Sequence, residues 1–156
     1  MSTTEESGSP QEAVQVPDIL HSTLVRAAPE AVFDLLSSGT GWDKWFTNGS
    51  TFGPAEGSPV HLVWRGWSDD GSDVTDDGVV MECVPNERFA ITWGTPPSLV
   101  TFTIAEHPDG TWLTVVETGL PQTAAGLARY GQCAPGWGEA LTLVRCYAEH
   151  GIRLST

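Results

Sequence analysis

The stretch APGWGEALTLVRCYAEH, residues 134–150, decides how this chain folds. Advancing about 100° per residue from Trp137 places Leu141, Val144, Ala148, Ala140 and Tyr147 in one sector, with Glu139, Thr142, Cys146 and Glu149 opposite. Gly151 follows as a C-cap. Burial of each large apolar member of that face contributes about 1.5–3 kcal/mol, so the spacing predicts a helix integral to the fold. A helix with a wide apolar face needs a partner surface of comparable size, and the chain before it supplies one only as a sheet.

That sheet is legible upstream. Over residues 58–118 the apolar period drops from 3.6 to about two, and each apolar run is bounded by turn residues. Strands are expected at 59–66, 75–84, 88–93, 98–105 and 111–118, after a first strand at 18–25. The loops at 67–73, 85–87, 94–97 and 107–110 are short, as antiparallel neighbours require. Between the first two strands, Ala28-Pro29-Glu30 opens a helix: proline in the first turn loses no hydrogen bond, and Glu30 complements the helix dipole. Val32, Phe33, Leu35 and Leu36 give it a buried side, Ser37-Ser38-Gly39 ends it, and a short helical turn, 42–46, follows. The predicted class is α+β: a curved six-stranded antiparallel sheet, two short helices after the first strand, and a long C-terminal helix.

The chain has 156 residues, 40% hydrophobic and 17% charged, which suits one domain over 16–154 preceded by a disordered tail, 1–15. That tail carries neither the basic nor the apolar region of a secretion signal, so a cytoplasmic location is expected. Seven Lys and Arg stand against 20 Asp and Glu, a formal charge of −13 that repels phosphate backbones and anionic lipid surfaces; neither nucleic acid nor membrane is an expected partner. Cys83, Cys133 and Cys146 are odd in number and widely spaced, offering neither a disulfide framework nor a C-x-x-C motif.

No phosphate loop, dinucleotide turn, nucleophile elbow or zinc-helix motif is present in the sequence, and no cofactor is expected. The acidic segment 69–78 invites a calcium reading, but the EF-hand register from Asp73 places Val84 where a bidentate glutamate belongs, so no metal site is assigned. A solvated hairpin loop is expected there. Arg88, beside the 85–87 turn, reads as a structural ion-pair or capping residue.

Several short motifs are informative together. Ala28-Pro29-Glu30-Ala31-Val32-Phe33 leads to Trp42-Asp43-Lys44-Trp45-Phe46; later come Val84-Pro85-Asn86-Glu87-Arg88-Phe89 with Thr92-Trp93, Gly110-Thr111-Trp112-Leu113, and Gly136-Trp137 heading the last helix. In this order they resemble the SRPBCC superfamily, which includes START domains and the birch-pollen allergen. Within it they are similar to the C-terminal domain of the activator of the heat-shock protein 90 ATPase, over residues 18–152. The resemblance implies a helix-grip fold, in which a curved sheet wraps the long helix around a cavity. Its members include lipid and hormone carriers, aromatase/cyclases and co-chaperone domains.

On that fold, strand alternation nominates a cavity lining: Leu62 and Trp64; Phe89, Ile91 and Trp93; Val100, Phe102 and Ile104; Leu113, Val115 and Glu117; and Trp137, Leu141 and Val144 from the helix. Glu117, an inward carboxylate on an apolar strand, is the candidate for holding a ligand hydroxyl or moving a proton, with His61 as a second acid–base candidate. Trp42, Trp45 and Phe46 near the cavity mouth offer a contact for a second copy of the chain. The first reading is a carrier or sensor of a small apolar or aromatic ligand, without catalysis. A cyclase- or hydrolase-like enzyme using the same cavity is the second reading, and a co-chaperone-like module with a chaperone partner the third.

Overall fold

A computed structural model describes residues 14–154. Its elements run β1 (Ile19–Val25), α1 (Pro29–Leu36), α2 (Gly39–Trp42), β2 (Pro59–Trp64), β3 (Val74–Val84), β4 (Arg88–Trp93), β5 (Ser98–His107), β6 (Gly110–Thr118) and α3 (Ala124–His150). The six strands form one antiparallel sheet in the order β1-β6-β5-β4-β3-β2, with the first two strands of the sequence at opposite edges. The segment carrying α1 and α2 therefore spans the sheet. The result is the α+β, helix-grip arrangement expected, within a residue or two at most strand ends.

Alternation works as the sequence suggests. Val100, Phe102 and Ile104 of β5, Leu113, Val115 and Glu117 of β6, and Phe89 and Ile91 of β4 are all buried on the face that meets the helices. Phe33 of α1 meets Phe89 edge-on at 6.4 Å between ring centroids, and Trp137 of α3 meets Phe102 at 5.6 Å. These edge-on contacts help hold α1 and α3 against the sheet.

Two helical expectations are corrected. The last helix begins at Ala124, ten residues before the expected 134, and runs through Pro135. Thr123 caps it, its hydroxyl accepting from the Gly126 amide at 3.0 Å. Tyr130, Cys133 and Ala134 pack against the core, and that tertiary contact outweighs the unfavourable propensity of Gly126, Gly131 and Pro135. The second short helix is Gly39–Trp42 rather than 42–46: Ser38 caps it at the Gly41 amide, and Gly39 and Gly41 sit where a Cβ would lie 2.3 Å from the carbonyl oxygens of Ser50 and Asp34. Only hydrogen-bonded turns continue to Phe46.

The expected tail lies, for residues 1–13, outside the described part; Val14 packs against the core and Val16 is buried, its amide donating to the Gln122 side chain at 2.9 Å. Trp42 and Trp45 are buried too, their indole N–H groups donating to the carbonyls of Leu36 and Leu35, each at 2.8 Å. They are core residues, unavailable to a second copy.

The strand that shapes the site is β3. Its register against β4 shifts between Val80 and Glu82, and at Gly78 the backbone runs so close to β4 that a Cβ would stand 1.7 Å from the Thr92 carbonyl oxygen. From there the β2–β3 hairpin continues to its end pair, Trp64 and Val74.

Candidate functional site

A cavity of about 430 Å³ lies where the end of the β2–β3 hairpin faces the end of β4 and the middle of α3. The hairpin contributes Trp64, Trp67, Val74 and Asp76; β4 and its turn contribute Trp93 and Gly94; the α2 turn contributes Phe46. The helix contributes Arg129, Gln132, Cys133, Gly136, Trp137, Glu139, Ala140 and Leu143. Four of the chain's tryptophans thus meet at one place. Successive ring centroids are 5.9 Å (Trp67–Trp64), 6.2 Å (Trp64–Trp93) and 5.1 Å (Trp93–Trp137), tilted by 37°, 58° and 30°.

Of the residues nominated from sequence, Trp64, Trp93 and Trp137 border this cavity. Leu62, Phe89, Ile91, Val100, Phe102, Ile104, Leu113, Val115, Leu141 and Val144 are buried and form the closed core beneath it, because α1 and the α2 turn fill the concave side of the sheet there. The space remaining is displaced toward the open end, beyond Trp42 and Phe102, whose rings meet edge-on at 6.1 Å. Phe46, placed near the cavity mouth from sequence, does border it, whereas Trp67, Asp76, Arg129 and Cys133 were not assigned to it. A signal existed for one of them: Asp76 shares the alternating face of β3 with buried Val80 and lies opposite buried Leu62.

Glu117 is completely buried and holds the cavity wall together from behind. Its Oε1 accepts from the Trp137 indole at 2.8 Å; its Oε2 accepts from the Trp93 indole at 2.9 Å and from the Ser98 hydroxyl at 2.6 Å. Arg129 Nη2 stands 3.8 Å from Oε2 and donates to Ser98 Oγ (2.7 Å) and the Trp93 carbonyl (3.1 Å), while Nη1 donates to the Pro96 carbonyl (2.5 Å). Both carboxylate oxygens are therefore occupied, and Glu117 fixes the two indoles rather than bordering the cavity. Three fixed donors make the rotamers of Trp93 and Trp137 interdependent.

His61 lies elsewhere, on the exposed side of β2, where its Nδ1 pairs with Asp77 at 2.8 Å. Arg88 donates to Glu82 at 2.7 Å, an exposed ion pair whose guanidinium holds the Glu82 carboxyl below its ordinary range. In the acidic segment the carboxylates face separate partners: Asp70 accepts from Ser72, Asp73 from the Gly66 amide and Asp76 from the Gly94 amide. Among the described residues no group of three or more His, Cys, Asp or Glu side chains converges as a metal site.

Cys133, in the cavity wall, is held as a thiol: burial pushes its pKa up, and the Glu117 carboxylate adds to the effect. A thiolate nucleophile is disfavoured there. The Trp64 indole N–H is buried and has no hydrogen-bond partner among the described residues. A buried donor without an acceptor costs about 1–3 kcal/mol, and this one is closed off from the cavity as well as from solvent.

A curved antiparallel sheet gripping a long C-terminal helix, with an aromatic cavity between them, defines the helix-grip class of the SRPBCC superfamily. The chain belongs to the family described as Activator of Hsp90 ATPase homolog 1-like protein, which matches residues 26–149. Comparison with curated proteins gave no significant match. Among solved structures, protein SSP2350 of Staphylococcus saprophyticus is similar at 19% identity and a TM-score of 0.73, over 90% of this chain and 97% of that one. The Aha1 dimer of Colwellia psychrerythraea is similar at 20% identity and a TM-score of 0.69, over 87% and 98%. An AHSA1-like protein of Aeromonas hydrophila is similar at 19% identity and a TM-score of 0.68, over 86% and 94%. No described helix is long and apolar enough to cross a membrane.

Proposed function

We propose that this chain is a cytoplasmic binding protein for a small, largely apolar or aromatic molecule, held between the β2–β3 hairpin and α3. The observation that carries this reading is the cavity of about 430 Å³, a volume within the usual range for ligand sites, walled by four tryptophans. Apolar walls supply affinity, and the indole rings favour a flat or aromatic body. Glu117 serves by fixing Trp93 and Trp137, which leaves the binding reading ahead of the enzymatic one.

The test is a tryptophan-fluorescence titration with 2-naphthol, a flat aromatic, on the natural chain and on Gly136→Leu. Gly136 borders the cavity, and a Cβ there meets no atom within 4 Å, so the position has room to start a side chain that would take up cavity space. Saturable quenching that disappears in Gly136→Leu, with stability retained, supports the reading. Absence of saturation in the natural chain, or equal binding by both, overturns it. Native mass spectrometry of the protein from its own host would then identify the retained ligand.

Self-association is a compatible second reading, favoured by two apolar pairs on the outer face of β1 and β6, either side of the Ser22–Thr114 hydrogen bond. Leu20 is 66% and Trp112 43% exposed, and the pairs Leu20–Val116 and Leu24–Trp112 lie side by side in register. The Colwellia relative is described as a dimer. A Leu20→Glu variant that sediments as the natural chain does would overturn it.

A further inference from the structure

The cavity has an electrostatic bias as well as an aromatic wall. Three formally charged side chains border it: Arg129, Asp76 and Glu139. The arginine is already engaged. Its Nη groups donate to the carbonyls of Trp93 and Pro96 and to Ser98, and its counter-charge, Glu117, lies behind the wall 3.8 Å away. An anionic ligand seeking Arg129 would have to compete with those three acceptors and with a buried carboxylate.

The two acids have no such balance. Neither Asp76 nor Glu139 has a Lys, Arg or His partner within 4 Å among the described residues, and Asp76 accepts only amide N–H groups, from Gly94 and Asp77. Counting Arg129 with Glu117 as one neutral pair leaves the cavity with two uncompensated carboxylates, in a chain whose formal charge is −13. Around them stand Trp64, Trp67, Trp93 and Trp137, mutually tilted so that they do not stack into one flat slab, with Phe46 5.4 Å from Trp64. Indole is the aromatic side chain most attractive to a cation, and a low-dielectric wall strengthens that attraction.

Resting on the binding reading above, we infer that the ligand is an organic cation: an amine or quaternary ammonium group carried on an apolar body. The ammonium sits among the indoles within the field of Asp76 and Glu139, and the apolar remainder lies against the other apolar lining residues. Trp67, 42% exposed at the hairpin end, is the ring that closes over the charged group. A quaternary ammonium has no N–H to donate, so its recognition rests on the rings and on long-range attraction to the acids rather than on hydrogen bonds.

The test compares three probes of similar size by calorimetry and tryptophan fluorescence: benzyltrimethylammonium, its neutral isostere neopentylbenzene, and the anion benzenesulfonate. The expected order is cation over neutral by about tenfold or more, with the anion weakest, and a cation affinity that falls as salt rises. Asp76→Asn with Glu139→Gln should lower cation affinity several-fold while leaving the neutral probe unchanged. Both substitutions preserve shape, and Glu139 is exposed, so the fold is retained. Neutral binding equal to or tighter than cation binding overturns the cation inference and leaves the small-molecule reading standing. Tightest binding of the anion would assign the site to Arg129 instead. If none of the three probes saturates, both readings fall.

Discussion

Glu117→Gln tests the role of the buried carboxylate in the cavity wall. Glutamine keeps one acceptor oxygen and presents an NH₂ group in place of the other. With the amide oxygen at the Oε2 position, Trp93 and Ser98 keep their acceptor and the Trp137 N–H meets a donor; the reverse orientation strands two groups instead of one. The amide takes the cheaper orientation, and one buried N–H left unpaired costs about 1–3 kcal/mol. Arg129 also loses its counter-charge. That side chain retains 19% exposure and the pair is 3.8 Å apart, so solvent screening limits the loss to about 1–2 kcal/mol. The sum is about 2–5 kcal/mol, or a fall in Tm of about 5–15 °C for a chain of this size. Urea unfolding followed by circular dichroism reads the free energy, and near-ultraviolet dichroism reads the loosened indoles. A loss below about 1 kcal/mol would refute the reasoning, since it would mean that the three donors do not depend on the carboxylate.

Three further outcomes are expected. Gly78→Ala places a Cβ 1.7 Å from the Thr92 carbonyl oxygen and should cost at least about 2 kcal/mol in urea unfolding; unchanged stability would contradict the close β3–β4 approach. Thr123→Ala removes the cap at the Gly126 amide and should cost about 1 kcal/mol, with Thr123→Ser nearly neutral; equal losses in both would show that the hydroxyl is not what matters. In a Cys83→Ser, Cys146→Ser background, Cys133 should alkylate with a midpoint above the ordinary 9.0, because burial and then Glu117 favour its thiol. The sign follows from linkage: the folded pKa is raised, so the thiol's contribution to stability is complete below 9.0 and is lost as pH rises from there toward the folded value. A midpoint at or below 9.0 would refute the assignment.

The sheet was legible because its signal is local. Val100, Phe102 and Ile104, or Leu113, Val115 and Glu117, declare a shared face by alternation alone, and each set is buried together. The first third of α3 was not, because Gly126, Gly131 and Pro135 speak against a helix locally while the packing of Tyr130 and Cys133 speaks for it only in three dimensions. The position of the cavity was hidden for a similar reason. Inward-facing residues and cavity-facing residues are different sets, and what separates them here is the filling of the concave sheet by Phe33, Trp42 and Trp45. Alternation identifies Trp64 and Trp93 as inward; it carries no information that Trp67, in a loop, and Arg129, in an unrecognised helical turn, complete the same wall.

The position of β1 at the far edge from β2 sets an order of assembly. Strands β3 to β6 pair with their sequence neighbours across turns of a few residues, so they close quickly and at small entropic cost. β1 must find β6 across a long chain separation: Ser22 and Thr114, hydrogen-bonded across that seam, are 92 residues apart. α3 in turn rests on β1, through His21 at the Ala134 carbonyl and the Arg26 amide at Glu149. The meander is thus the natural nucleus, and β1 and α3 form a late clasp that completes the cavity only when both have docked. Amide exchange is therefore expected to open the β1–β6 seam at lower free energy than the β4–β5 ladder, so that the ligand site comes apart before the sheet that supports it.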